Sequence, residues 1–225
     1  MRVFLPLMII AGLALSACSS ENLKLKGIGS VVPAAIKGVL KKKDKTPAVN
    51  PLAGISRAQL KDIPGPLLFA NLEEINAYAS LSLIGENNDV QTFLTADKIS
   101  LSLRGGVVLA TRGLGGDLIS ADVSGTEAAI RKPGGASYAR TMRWLDGQDV
   151  TQTVVFDCTM TNSGREAITI LGTTNATTRM KESCTSEGQS FENDYWLGRS
   201  KPVIWQSRQW LGKDAGYISL QVLIE

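Results

Sequence analysis

The chain of 225 residues contains no histidine. This one absence excludes Ser-His-Asp and Cys-His nucleophilic catalysis, histidine-ligated zinc or iron, and imidazole pH switching. Cysteine is nearly as scarce. Only Cys18, Cys158 and Cys184 occur, without a C-x-x-C spacing for thiol redox chemistry or a zinc site. No Ser-x-x-Lys or Gly-x-Ser-x-Gly is present to supply a serine nucleophile. The N-terminal apolar run, Val3 to Leu15, is about 13 residues, short of the ~20 that a transmembrane helix needs. Gly113-Leu-Gly-Gly-Asp117 lacks the Lys-Ser/Thr ending of a phosphate-binding loop, so it reads as a tight turn. With these motifs missing, no cofactor, no metal and no catalytic residue is expected.

What is present begins at the N-terminus. Arg2 supplies a positive start, Val3 to Leu15 an apolar core, and Ser16-Ala17 the small residues that precede a cleavage site. Leu15-Ser-Ala-Cys18 then reads as a bacterial lipobox, in which Cys18 becomes the diacylglyceryl-bearing first residue of the mature protein. The competing reading is an ordinary secretory leader with a chance cysteine at its end. Acyl chains contribute ~0.8 kcal/mol per buried CH₂, so several of them would make the anchor effectively permanent. Ser19 follows the cysteine where an Asp would signal inner-membrane retention, which favours the periplasmic face of the outer membrane. The expected organisation is a signal peptide over 1–17, a lipidated Lys-rich tether over 18–54, and one antiparallel β domain over 55–225.

Charge is unevenly placed. Seven Lys lie between Glu21 and Lys45 against Glu21 and Asp44, a local charge of +5. From Thr46 onward, 16 basic and 19 acidic residues leave −3, so the body is acidic and a nucleic-acid role has no support. The basic stretch is either a solvated tether or a surface for anionic lipid, where each Lys gains ~1 kcal/mol. With Cys18 acylated, Cys158 and Cys184 form an even pair in an oxidising compartment, so a disulfide is expected. Closing a loop of ~27 residues contributes roughly 3–4 kcal/mol in the chain-entropy description.

Residues 31–45 suit a short basic helix, since Val32, Ile36, Val39 and Leu40 recur at helical spacing. Ser56 is a good N-cap for a turn or two over 57–62, ended by Pro64-Gly-Pro66. Thereafter short runs of Val, Ile, Thr and aromatics recur between Gly, Asn and Asp breaks. The pattern predicts strands near 67–72, 76–84, 89–95, 98–103, 106–112, 136–145, 150–161, 165–172, 176–184, 191–198, 202–210 and 216–224. Only 113–133 interrupts the rhythm, with a helical turn over 126–130. The fold class is therefore mainly β: a bent antiparallel meander sheet or half-open barrel with few short helices.

Two constellations invite chemistry. Glu73/Glu74 and Glu192/Asp194 are the paired carboxylates a glycan-modifying enzyme would use. Trp196, Trp205 and Trp210 crowd into 15 residues, with Trp144 in a similar strand, and aromatic faces stack on sugar rings. Packing of those rings in a β core is the alternative.

The same segments carry a family resemblance. Ser137-Tyr-Ala-Arg-Thr-Met-Arg-Trp144, Asn193-Asp-Tyr-Trp196 and Ile204-Trp-Gln-Ser-Arg-Gln-Trp-Leu-Gly212 resemble blocks of the YjbF/GfcB-type lipoproteins. Leu94-Thr-Ala-Asp97 and Gly106-Val-Val-Leu-Ala-Thr-Arg-Gly-Leu-Gly115 fit the same order upstream. Thr92-Phe93 departs from it, since relatives often carry a tryptophan there. The resemblance covers about 55–225 and implies a lipoprotein of group 4 capsule or exopolysaccharide secretion, with no reaction attached. By position, Arg140, Trp144, Tyr195, Trp196, Ser207, Gln209 and Gly212 are the residues expected to matter. Together with Trp205, they give Arg140, Trp144, Tyr195, Trp196, Trp205 and Gln209 as candidate glycan or partner contacts. Expected partners are the membrane, through Cys18, together with polysaccharide and export-machinery proteins. A carboxylate-dependent glycan enzyme and a lipid or lipoprotein carrier are the alternatives. Labelled palmitate should enter the protein and be lost in Cys18→Ser; an unlabelled wild type retaining Met1 in the cytosol would remove the anchor.

Overall fold

The computed structural model describes residues 51–225. Cys18, the expected leader and the expected basic helix over 31–45 lie outside the described residues. Twelve antiparallel strands form one sheet: β1 (Leu67–Leu72), β2 (Ala77–Asn87), β3 (Val90–Leu94), β4 (Ser100–Arg104), β5 (Val107–Arg112), β6 (Leu118–Ala121), β7 (Ala136–Leu145), β8 (Thr151–Ile170), β9 (Thr173–Ser186), β10 (Gln189–Gly198), β11 (Ile204–Gly212) and β12 (Gly216–Ile224). One helix, α1 (Ser124–Ile130), joins β6 to β7. A 3-10 turn over Arg57–Leu60 follows Ser56, whose backbone N–H donates to the Gln59 side chain at 2.7 Å.

The spatial order is β5-β4-β3-β2-β1-β12-β11-β10-β9-β8-β7-β6, so every strand pairs with its neighbours along the chain except β5 with β6. The two ends of the described chain pair with each other, Leu67 opposite Ile224 and Leu72 opposite Ile218. The sheet therefore curls almost into a barrel, with a single unsealed seam between β5 and β6. Side chains bridge that seam. The Thr111 hydroxyl accepts from the Leu118 N–H at 3.0 Å and donates to Asp117 at 2.9 Å. The Arg112 guanidinium donates to the carbonyls of Thr111 and Leu118. Asp117 also accepts from the N–H groups of Gly113 and Leu114, which makes this glycine-rich segment a carboxylate-capped turn.

Alternation along each strand sends one set of residues inward. Leu81, Phe93, Leu101, Val108, Met142, Phe156, Met160, Met180, Leu211 and Leu220 fill the interior, so the barrel is packed rather than hollow. A second cluster lies on the outer face. Leu67 and Phe69 of β1, Trp196 of β10 and Leu223 of β12 are covered there by Leu60, Ile63, Ile168 and Ile170. The cover exists because the β8–β9 hairpin outruns its neighbour: β9 pairs with β10 only as far as Thr177 opposite Gly198. Arg57 fastens it, donating to the Thr173 hydroxyl at 3.3 Å and to the Leu223 carbonyl at 3.0 Å.

Two expectations change. The strands predicted at 150–161 and 165–172 are one strand of 20 residues, and Asn162-Ser-Gly164 is a bulge within it rather than a turn. The segment read as an interruption over 113–133 contains β6 as well as the helical turn. No helix among the described residues is long and apolar enough to cross a membrane.

Cys158 and Cys184 stand opposite each other on β8 and β9 and are disulfide-bonded. Replacing both by Ala should lower unfolding free energy by roughly 2–4 kcal/mol in urea titrations. An unchanged midpoint would show that strand pairing alone holds this hairpin.

Candidate functional site

The most unusual group inside the barrel is a carboxylate. Glu182 of β9 points inward between Met180 and Cys184 and is 0% exposed. Burying an ionised carboxylate in an apolar interior costs several kcal/mol unless donors surround it. Five do. Arg140 Nη1 of β7 donates at 2.8 Å, the Tyr138 hydroxyl at 2.6 Å and the Thr126 hydroxyl of α1 at 2.8 Å. Asn193 Nδ2 and the Tyr195 hydroxyl, both from β10, complete the shell at 2.6 and 3.0 Å. Burial pushes the Glu182 carboxyl upward, but the Arg140 charge and the donated hydrogen bonds outweigh it and hold the group below its ordinary value. Burial, followed by the adjacent carboxylate, pushes Tyr195 well above an ordinary phenol. The node is thus an ionised Glu, a charged Arg at 1% exposure and two neutral tyrosines. Both cysteine sulfurs lie within 4.8 Å of Glu182, but their disulfide removes them as thiolate ligands for a metal.

A second polar node crosses the interior. Gln209 of β11 accepts from the Val108 N–H at 2.9 Å and donates to the Gly106 carbonyl at 3.0 Å and to Ser207 at 2.9 Å. It ties the β4–β5 turn and edge strand β5 to the opposite wall. Gly106 permits this approach: its φ is +86°, and an added Cβ would meet Ile204 at 3.0 Å.

The tryptophans do not share a groove. Trp144 donates to the Leu211 carbonyl at 2.7 Å and lies over Gly212, where an added Cβ would stand 2.5 Å from its Nε1. It packs edge-on against Trp210, which stacks on Phe191 at 4.7 Å. Trp196 and Trp205 belong to the outer cluster instead, with Arg179 over the Trp196 ring at 5.1 Å. The six candidate contacts therefore fall in three places: Arg140, Tyr195 and Gln209 enclosed, Trp144 at the inner aromatic cluster, and Trp196 with Trp205 outside. Of the paired carboxylates, Glu73 meets Arg208 at 2.8 Å, Glu192 meets Lys181 at 2.9 Å and Asp194 meets Arg179 at 2.9 Å.

Cavities lie at both ends of the barrel. At the proximal end, where β1 begins and β12 finishes, a space of about 270 Å³ lies between Leu68, Phe93, Gly106 and Ile204. At the distal end a pocket of about 50 Å³ is lined by Ala70, Ala77, Ala79, Leu114 and Ile218, with Asp97 at its edge.

The family model for the group 4 capsule polysaccharide lipoprotein gfcB, YjbF, matches residues 34–223. The chain belongs to the YjbF family. Among solved structures, the hypothetical lipoprotein YmcC from Escherichia coli (K12) superposes with a TM-score of 0.68 at 20% identity. The match covers 76% of this chain and 89% of that one, and at such identity it concerns the fold alone. No curated protein matches the chain.

The YjbF blocks meet at the two nodes. Ser137–Trp144 is most of β7 and supplies Tyr138 and Arg140; Asn193–Trp196 supplies Asn193 and Tyr195; Ile204–Gly212 supplies Gln209, which binds the Gly106–Gly115 block. Glu182 lay outside every block quoted from the sequence. Its signal was the alternation Met180-x-Glu182-x-Cys184, which sets an acid in an inward register.

Because its folded pKa is depressed, Glu182 contributes stability above the unfolded carboxylate range and loses it as pH falls through the folded value. Acid unfolding of Glu182→Gln should lack this component. At neutral pH the variant leaves Arg140 buried without its counter-charge, which should cost about 3–5 kcal/mol. Wild-type stability in Glu182→Gln would show that the pair is not ionised.

Proposed function

We propose that this protein is a lipid-anchored, non-catalytic accessory factor in the secretion or assembly of a capsule or exopolysaccharide. Cys18 would hold it on the periplasmic face of the outer membrane, with the barrel presented to glycan and export-machinery proteins. The observation that carries this reading is the extent of the family match, which runs through the barrel from β1 to β12. The chemistry of the interior supports it. Glu182, the most deeply buried acid, is saturated by donors from two strands and α1 and is closed off from solvent. The outer carboxylates Glu73, Glu192 and Asp194 each face a cation, which suits surface ion pairs better than a working acid and base. Most of the interior is filled by large apolar side chains, and the space of about 270 Å³ bordered by Leu68, Phe93 and Ile204 is the one feature that favours a carrier of acyl chains instead.

Affinity isolation of the full-length lipoprotein from detergent-solubilised membranes should recover polysaccharide or export proteins with it. Repeated recovery of the protein alone would count against the reading. Incubation with purified polymer should leave chain length unchanged. Shortening by wild type and not by Glu192→Gln would replace an accessory role with a glycan-cleaving enzyme.

A further inference from the structure

The wall of the barrel is irregular at its proximal end. Leu68, Phe93, Leu103 and Ile204 each stand at a step in register, where one strand of the pair carries an extra residue: Leu223, Ile84, Leu109 and Trp205 respectively. Ile84 is 53% exposed, while Trp205 and Leu223 join the outer cluster, so three of these extra residues face outward. Bulges of this kind bend the strand that carries them and are common at barrel rims. The β4–β5 turn adds room, since Gly105 and Gly106 bring no side chain to the opening. The outcome is the space of about 270 Å³, against about 50 Å³ at the distal end. Its floor of Leu68, Phe93 and Leu103 belongs to the packed core and is therefore preformed.

The wall leaves a ligand little to hydrogen-bond. The Pro66 carbonyl accepts from the Leu83 N–H at 3.2 Å, the Gly106 carbonyl from Gln209 at 3.0 Å and the Pro202 carbonyl from Arg131 at 3.4 Å. A cavity water needs two to four polar partners, so water is poorly held here. Charge at the rim is of both signs: Lys201 meets Glu225 at 2.5 Å, Glu86 accepts from Gln91 at 3.0 Å, and Arg104 meets Glu127 at 3.2 Å beside the β4–β5 turn. Neither an anionic nor a cationic head group is selected. A sugar ring would leave its hydroxyls unpaired among Leu, Phe and Ile, whereas an aliphatic chain has none to lose. An apolar cavity of about 150 Å³ stays dry and takes benzene. The larger one here accommodates roughly ten methylene groups at the density of organic packing.

We infer that the proximal cavity binds a single alkyl chain of about ten carbons, supplied by a free fatty acid or by a phospholipid. The chain lies on Leu68, Phe93 and Leu103, and its polar head stays outside, level with Lys201 and Glu225. Such binding is independent of the accessory role proposed above.

Photolabelling of the full-length protein in phospholipid nanodiscs tests this. Decanoic acid carrying a diazirine at its methyl end should label Phe93, Leu103 or Ile204, mapped by mass spectrometry, and excess plain decanoic acid should remove the label. A parallel arm uses phosphatidylcholine with the same diazirine in one acyl chain. Cavity adducts from the acid alone assign the chain to a free fatty acid, and adducts from the phospholipid alone assign it to membrane lipid. Val203→Trp, in the β10–β11 loop, fills the cavity from its rim and should lose the label. Ile84→Trp, on the exposed outer face, should keep it. If a variant fails to fold, the wild-type map alone decides. Adducts confined to the outer wall, no cavity adduct from either probe, or undiminished labelling of a folded Val203→Trp would overturn the assignment.

Discussion

The barrel depends on one buried ion pair, Arg140 with Glu182 at 2.8 Å. Desolvating both charges costs more than their attraction returns unless the remaining donors and lone pairs are engaged. Here the carboxylate side is complete, and only Arg140 Nε lacks a partner. Three elements supply the shell, α1, β7 and β10, and together with β9, which carries the acid, their relative placement fixes half the barrel. A slip of one residue in β7 or β10 would turn its donors to solvent and leave the acid bare, and a slip in β9 would turn out the acid itself. The hypothesis this invites is that the pair specifies register, since an apolar filling of similar volume would tolerate slippage that the charged one forbids.

Closure raises a complementary problem at the seam. Edge strands expose unpaired N–H and C=O groups and invite association with other chains. The β5 and β6 edges are bridged by Thr111, Arg112 and Asp117, and β5 is braced from within by Gln209. Glu182 and Gln209 therefore act within the same interior on different strands. One holds β7, β9 and β10 in register, and the other holds the free edge against β11. Phe156, Phe191 and Trp210 pack together nearby, and the two nodes adjoin, since Tyr195 stands opposite Ser207, which accepts from Gln209.

Much of this was legible in the sequence. Period-two alternation located most strands within a few residues, and Cys158 and Cys184 were read as a pair from compartment and count. What failed did so for identifiable reasons. Asn162-Ser-Gly164 has the composition of a turn, and Gly164 does adopt φ +101°, yet the register merely shifts there and the strand continues. In β6, the four residues Leu118-Ile-Ser-Ala121 do not alternate in burial, so no periodic signal existed to read. Pairing of β1 with β12 joins residues more than 140 positions apart, which local patterning cannot encode. The candidate site was half visible. Arg140, Tyr195 and Gln209 stand in the blocks that carry the family resemblance, which offers them as contacts for glycan or a partner rather than as members of a buried network. The residue that organises two of them, Glu182, lies outside those blocks.

An interior so fully engaged confines recognition to the outer wall and the two ends. Much of the outer wall is solvated in an orderly way: Ser137, Thr159 and Ser183 stand in register across β7, β8 and β9, with the first two hydroxyls 3.3 Å apart. Such a face keeps an antiparallel sheet soluble on one side without offering the apolar anchors that dominate protein interfaces. The apolar part of the outer wall, around Phe69 and Trp196, is already covered by the β8–β9 hairpin and the chain from Leu52 to Ile63. That cover is held chiefly by Arg57 and by apolar contact, not by continuous strand pairing, since β10 ends beneath it. Its local stability is accordingly lower than that of the barrel wall. Displacement of the hairpin tip would uncover Trp196, which is 8% exposed beneath it.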